Sequence, residues 1–390
     1  MNQAIVDRIV NAVLYEGYVL YPYRPSVKNR QRWTFGGVYP RSYCEAQQTG
    51  DAWEMQTECL VRGERPVLNV TVRFLHLQAR RIGALDHPRK RWVDGERAAF
   101  HFVDSLRAGD TLLQTWQEAV ERKVLVPGLC PGTHCPAGSA CRLDHTRGRA
   151  SRAVRSQAEP GNEEVEEVAA VEGRQQTEFA FPGGRRIEPV RGPQDEIIGV
   201  VVREQQSVGG LVKTSVEPAG AQLFKVRVRI ENRSPLANAG VCDRDEALLR
   251  SLVSTHTILG VRDGEFLSLL EPPAEHALVA AGCRNEGAFP VLVGEAGERD
   301  AILSSPIILY DYPRTAPESP GDLFDGAEID EILSLRILTL TDEEKRSAAA
   351  VDERVRALLQ RTAGLTPEQF LGLHGTVRGL RTLPAEDGHA

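Results

Sequence analysis

The sequence predicts an α+β fold, mainly antiparallel sheet with a short N-terminal helix and a helical C-terminal end, on three observations. Apolar and polar residues alternate strictly from Leu68 to Phe74 and again from Phe224 to Glu231. Apolar residues at helical spacing open the chain, and three helix-start patterns follow one another beyond residue 320.

Taken in order, Ile5, Ile9 and Val13 share one face of a first helix. It runs into GYVLYPYRPS, whose aromatic residues interleave with turn formers, as in an aromatic strand or loop. In PVLNVTVRFLHL, Leu68, Val70, Val72 and Phe74 alternate with Asn69, Thr71 and Arg73, which predicts a strand buried on one face. Leu112, Leu113, Trp116 and Val120 are spaced for one face of an amphipathic helix over Asp110 to Lys123. From Pro127 to Glu178 a cysteine cluster, a basic run and an acidic run follow with few large apolar side chains, which predicts a mobile insert or linker.

The second half returns to strands. LFKVRVRIEN sets Phe224, Val226, Val228 and Ile230 against Lys225, Arg227, Arg229 and Glu231, a half-solvated antiparallel strand. Asp243 with Glu246 predicts the start of a helix through Leu252. THTILGVRDGEFLSLLE predicts a hairpin about Asp263 and Gly264, a pair suited to positive φ. Ile302 to Tyr310 reads as a strand, and Asp311 to Leu323 as a loop stiffened by Pro313, Pro317 and Pro320. Asp325 with Glu328, Thr341 with Glu344, and Thr366 before Pro367 then start three helices. The resulting division is 1–126 as an N-terminal α+β region, 127–178 as the insert, 179–312 as a β-rich region, 313–380 as loop and helices, and 381–390 as a tail.

A chain of 390 residues, 41% of them hydrophobic, can bury a substantial core. A net charge of -7 opposes general attraction to nucleic acid. Arg62, Arg65, Arg73, Arg80, Arg81, Arg89, Lys90, Arg91 and Arg97, with Trp92, Phe100 and Phe102, leave a local basic patch as an alternative to a solvated, ion-paired face. The N-terminus lacks the pattern of a secretory signal and no apolar run approaches the ~18 residues of a membrane span, so the cytoplasm is the expected location. Seven cysteines there fit reduced thiols or metal ligands better than a disulfide framework.

Two constellations suggest chemistry. Cys130, Cys135 and Cys141 with His134 offer thiolate and imidazole ligands for a structural zinc, or three thiolates for an iron–sulfur site. Their C-x4-C-x5-C spacing lacks the two-residue knuckle of zinc ribbons, and a loop with incidental thiols is the plainer reading. Cys44, Cys242 and Cys283, with His256 or His276 as base, have no local signature of a nucleophile. Among the carboxylates Asp311, Glu318, Asp322, Asp325, Glu328, Asp330 and Glu331, several sit where they favour a helix dipole. Asp311 differs, following an apolar strand between Tyr310 and Tyr312. No common nucleotide-binding, hydrolase or protease motif is present.

Two blocks carry a resemblance: LYEGYVLYPYRPSVKNRQRWTFGGVYP, from Leu14 to Pro40, and SSPIILYDYPRTAPESPGDLFDGAEIDEILSLRILTLTDEEKR, from Ser304 to Arg346. Both resemble hallmark segments of an uncharacterised accessory protein family encoded with actinobacterial-type, high-affinity nickel–iron hydrogenases. The resemblance implies a non-catalytic role in maturation or assembly of the hydrogenase, with a hydrogenase subunit or maturation factor as partner. It points to Tyr21, Tyr23, Arg24, Arg32, Trp33, Tyr310, Asp311 and Tyr312 as partner-binding residues, since Tyr, Trp and Arg make large, low-entropy interface contacts. It supplies no catalytic residue and does not include the cysteine cluster. The competing expectation is a metal-dependent enzyme of unknown reaction using that cluster or the acidic loop.

Overall fold

The computed structural model describes residues 2–19, 35–48, 50–92, 99–109, 111–129, 166–171 and 173–314, together with 360 and 364. Met1–Pro313 is one compact unit and Arg314–Ala390 a second. The stretch expected to form a loop and three C-terminal helices beyond residue 314 and residues 130–165 of the expected insert lie outside the described residues, save 360 and 364.

In the first unit, helices α1 (Gln3–Val19) and α2 (Arg41–Gln47) precede β1 (Glu54–Arg62) and the long β2 (Val67–Arg89). Next come β3 (Phe100–Val103), β4 (Ser105–Ala108), β5 (Thr111–Gln114) and β6 (Trp116–Leu129). The chain continues with β7 (Glu166–Val171), β8 (Arg174–Phe181), β9 (Gly184–Arg191), β10 (Ile197–Gln205), β11 (Val208–Gly220) and β12 (Leu223–Asn232). Helix α3 (Arg244–Leu248), strands β13 (Val253–Arg262) and β14 (Glu265–Leu267), helix α4 (Ala277–Ala281), and strands β15 (Phe289–Leu292) and β16 (Ala301–Ser305) complete it.

All the strand pairs described are antiparallel. One sheet runs β14-β1-β12-β11-β8-β7; the other runs β15-β16-β13-β2-β10-β9, with β3 and β6 also on β2. The regions before and after the insert therefore share both sheets. Phe74 of β2, Val124 of β6, Val212 of β11, Val228 of β12 and Leu259 of β13 meet in one core between them. Each such fully buried side chain stabilises the fold by about 1.5–3 kcal/mol.

The alternation read in β2 and β12 places Leu68, Val70, Val72, Phe74, Val226, Val228 and Ile230 in that core. On the other face of β12, Arg227 meets Glu58 at 2.6 Å and Arg229 meets Glu54 through its Nε at 2.8 Å. Helix α1 forms as its spacing predicts, burying Val6, Ile9, Val10 and Val13. It packs on β13 and β16, and Arg73 of β2 donates to Asp7 and Asn11 of the helix.

Five sequence expectations need correction. The helix expected over Asp110 to Lys123 is β5 and β6, because Glu118 and Glu121 of β6 find Arg80 and Arg73 across the ladder on β2. Tertiary pairing and the β-branched Val120, Val124 and Val126 outweigh a helical spacing that fits equally well. The hairpin about Asp263 is a crossing between sheets: Asp263 has the expected positive φ of 57°, but β13 pairs with β2 and β16 while β14 pairs with β1. Both edges of β13 are already occupied, so its neighbour in sequence cannot pair with it. The insert ends sooner than expected, since Glu166–Val171 is a strand. The last strand stops at Ser305, where Pro306 cannot donate to a ladder, and α3, capped by Asp243 on Glu246 N at 2.7 Å, is shorter than expected.

Candidate partner-binding surface

The segments Leu14 to Pro40 and Ser304 to Arg346 come together where the described structure contains both. Phe35 and Gly36, from the N-terminal block, present their carbonyls to the amides of Ser254 and Thr255 at 3.1 and 3.0 Å. Val38 and Leu252 exchange two further backbone bonds. Gly36 has φ 55°, and a Cβ there would lie 2.6 Å from Pro306, so glycine is required both for the turn and for contact with the second block.

The receiving strand is irregular at this point. Between Val253 and His256 the register of β13 on β2 shifts, and Ser254 takes φ 52°. A left-handed serine costs about 1–3 kcal/mol and persists only where its surroundings enforce it. Here the amides of Ser254 and Thr255 are held by the N-terminal block, which offsets that cost.

Beneath this contact lies a wholly buried polar group. His256 Nδ1 lies 2.8 Å from the Ser254 carbonyl, which can only accept, so Nδ1 carries the proton and Nε2 is the acceptor. Ser305 Oγ, 3.2 Å away, then donates to Nε2 and itself accepts from Ile307 N at 3.1 Å. Burial pushes the His256 pKa down to about 4. The ring is neutral near pH 7 and a weak base, and Ser305 is 1% exposed. This geometry pins the bulge of β13 to the turn after β16; a nucleophile so enclosed has no route to a substrate.

Large apolar side chains of the segments that meet here are exposed. Ile308 is 89% and Tyr310 79% exposed, with Phe35 and Phe289 also exposed, while Leu309 between them is buried. Phe289 pairs with Ser305 across β15 and β16. Asp311 anchors the loop: its Oδ1 accepts from Leu292 N at 2.8 Å and its Oδ2 accepts from Ser268 Oγ. The Ser268 hydroxyl in turn accepts from Leu270 N and Glu271 N. Tyr312, at φ 57°, donates its amide to the Leu292 carbonyl at 2.7 Å. Asp311 and Tyr312 thus curl the chain around the edge strand β15 and leave Tyr310 projecting.

Of the expected partner-binding residues, the structure brings together Tyr310, Asp311 and Tyr312; Tyr21, Tyr23, Arg24, Arg32 and Trp33 lie outside the described residues. Cys130, Cys135, Cys141 and His134 also lie outside them, as do the acidic residues from Glu318 to Glu331. Among the described residues no cluster of three or more metal-ligating side chains is formed. Burial raises the thiol pKa of Cys44, Cys242 and Cys283 to about 11, which disfavours thiolate. His256, considered as their base, faces Ser305 instead. In the basic segment, Arg62, Arg73, Arg80 and Arg81 each hold a carboxylate within the fold.

Sequence reasoning passed over Ser254 and Ser305. The signal was available in the polar run STHT inside an otherwise apolar strand, where each hydroxyl must find a reason to be buried. Comparison with protein-family models gives no match, and neither does comparison with curated proteins.

Proposed function

We propose that this chain is a non-catalytic accessory or assembly protein that supports maturation or assembly of a nickel–iron hydrogenase, acting in the cytoplasm through contact with a hydrogenase subunit or maturation factor. The observation that carries the reading is the convergence of the two blocks that resemble the accessory family. They are distant in sequence, yet Gly36 abuts Pro306, with the exposed Phe35 next to Gly36, Phe289 paired with Ser305, and Ile308 and Tyr310 exposed on the chain that follows Pro306. Large exposed apolar side chains held on a rigid, hydrogen-bonded corner are what a docking surface requires. No helix among the described residues is long and apolar enough to cross a membrane.

Deleting the gene while leaving the hydrogenase genes intact tests this directly. Loss of hydrogenase activity is expected, with a hydrogenase subunit or maturation factor captured on the tagged chain. Substituting Ile308 and Tyr310 with Asp is expected to abolish capture while the chain still folds, since both side chains are mostly exposed. Full hydrogenase activity in the deletion strain would overturn the proposal.

A further inference from the structure

On the outer face of the sheet that holds β12, β11 and β8, two neighbouring rows of side chains cross these three strands. Register sets Arg229 of β12 beside Lys213 of β11 and Gln176 of β8 in one row, and Arg227, Ser215 and Arg174 in the next. Ser215 is the shortest side chain of the six. It leaves a cavity of about 250 Å³ whose walls include Arg174, Lys213, Arg227 and Arg229, and no carboxylate lines it.

Stability alone does not account for this arrangement. Arg229 stands directly opposite Lys213, and like charges so placed destabilise a sheet. On its other side β12 sets Arg227 opposite Glu58, the complementary pairing. The carboxylates that offset the four cations lie outside the cavity lining and hold the cations in place without using up their donors. Arg227 gives its Nε to Glu58 at 2.6 Å, while Arg229 gives its Nε at 2.8 Å and its Nη2 to Glu54, so each keeps guanidinium N–H groups to offer. Lys213 gives Glu231 one of the three N–H groups of an ammonium. Arg174 reaches Glu217 at 3.6 Å, beyond hydrogen-bond range. Ser215 is 8% exposed, and its hydroxyl finds no hydrogen-bond partner among the described residues. A buried hydroxyl left unpaired is costly, and this one lies at the floor of a cavity ringed by cations.

We propose that this cavity binds the phosphoryl group of a small molecule, with Arg174, Lys213, Arg227 and Arg229 meeting its charged oxygens and Ser215 donating from the floor. A phosphoryl group offers three strong acceptor oxygens where a carboxylate offers two, and so matches donors that converge from three strands. The inference does not depend on the accessory role. Calorimetric titration of the full chain at fixed ionic strength tests it, with inorganic pyrophosphate and ribose 5-phosphate as probes. Saturable binding of at least one probe, at one site per chain, is expected. Tighter binding of pyrophosphate identifies a free polyphosphate as the source of the group, and tighter binding of ribose 5-phosphate a phosphorylated metabolite. Arg174→Gln, at a side chain 74% exposed, is expected to weaken binding roughly tenfold or more. Ser215→Ala is expected to weaken it about two- to tenfold. Replacing Arg185 and Arg186 of β9 with Gln is the control, expected to leave binding unchanged because those cations belong to the other sheet. Absence of saturable binding by both probes overturns the proposal. So does binding that the control variant weakens as much as Arg174→Gln does, or that neither Arg174→Gln nor Ser215→Ala weakens.

Discussion

The two halves of β2 obey the same alternation and meet different surroundings. From Leu68 to Phe74 the even-numbered side chains lie under the second sheet and are apolar. Beyond Phe74 the same face carries His76, Gln78 and Arg80. There Glu118 gathers Arg80 at 3.0 Å, Arg203 at 2.6 Å and Gln78 at 3.0 Å. The far half is instead packed by two small clusters on opposite faces of the sheet, Val200 and Val202 with Leu85 on one and Val201 with Ile82 and Val190 on the other. One strand thus serves a dry sandwich and a thinner arm held partly by charge, and chemistry along a single face records where the opposing layer ends.

The largest break in this comparison should come from Phe74→Ala. Phe74 is fully buried between Phe179 and Phe181, with centroids 6.0 and 5.7 Å away, and the resulting cavity is expected to cost about 3–5 kcal/mol in denaturant unfolding. Glu118→Gln addresses the arm, leaving Arg80 and Arg203 without their shared counter-charge; a loss of about 2–3 kcal/mol at pH 7 is expected. Burial alone would raise the Glu118 pKa, but the hydrogen bonds and charges of Arg203 and Arg80 outweigh it and hold the carboxyl below its ordinary 4.5. Its stabilisation is therefore complete above the ordinary value and is lost as pH falls through the lower, folded one. Acid titration of stability should show that loss in the parent chain and a weaker one in the variant.

His76 stands at the boundary and sharpens the contrast. It is fully buried, and although the backbone groups of Gln206 and Leu249 beside its ring favour the charged form, burial, aided by Arg122, outweighs them and pushes its pKa down to about 4. The unfolded chain takes up this proton first, so stability contributed by neutral His76 is complete above 6.5 and declines as pH falls toward 4. His76→Leu removes a buried, poorly satisfied polar group from the rim of the core. A stability change within about 1 kcal/mol at pH 7 is expected, with a flatter pH profile between those values in chemical denaturation. The smallest effect belongs to Leu125→Ser, at an exposed position of β6, which should shift stability in denaturant unfolding by no more than about 0.5 kcal/mol.

What the sequence made legible follows the same division. Strands with one wet face, β12 and the near half of β2, announce themselves through alternation, and local devices such as the Asp243 cap and the positive φ of Asp263 are local in cause. Strands β5 and β6 are ambiguous in the sequence because Leu112, Leu113, Trp116 and Val120 satisfy a helical period, and only the distant arginines of β2 decide between the two. Strand β13 is buried on both faces for nine of its ten residues, so it carries no alternation to read. At the candidate surface, Tyr310 to Tyr312 stand out through the resemblance, and Asp311 also through its place after an apolar strand, whereas the Ser254 bulge and the Ser305–His256 pin depend on pairings that no spacing within the sequence reveals.

The interleaving of strands from both ends of the first unit has a temporal consequence. Glu54 of β1 pairs with Glu231 of β12, and Val67 of β2 with Arg262 of β13. During synthesis at ordinary rates, β1 waits roughly ten to thirty seconds for its partner to leave the ribosome. Through that interval the apolar faces of β1, β2 and β6 have no layer to cover them, and neither sheet can close. Such sequence-distant pairing predicts slow folding, a nascent chain that depends on chaperones, and no stable product from a transcript cut short before β13.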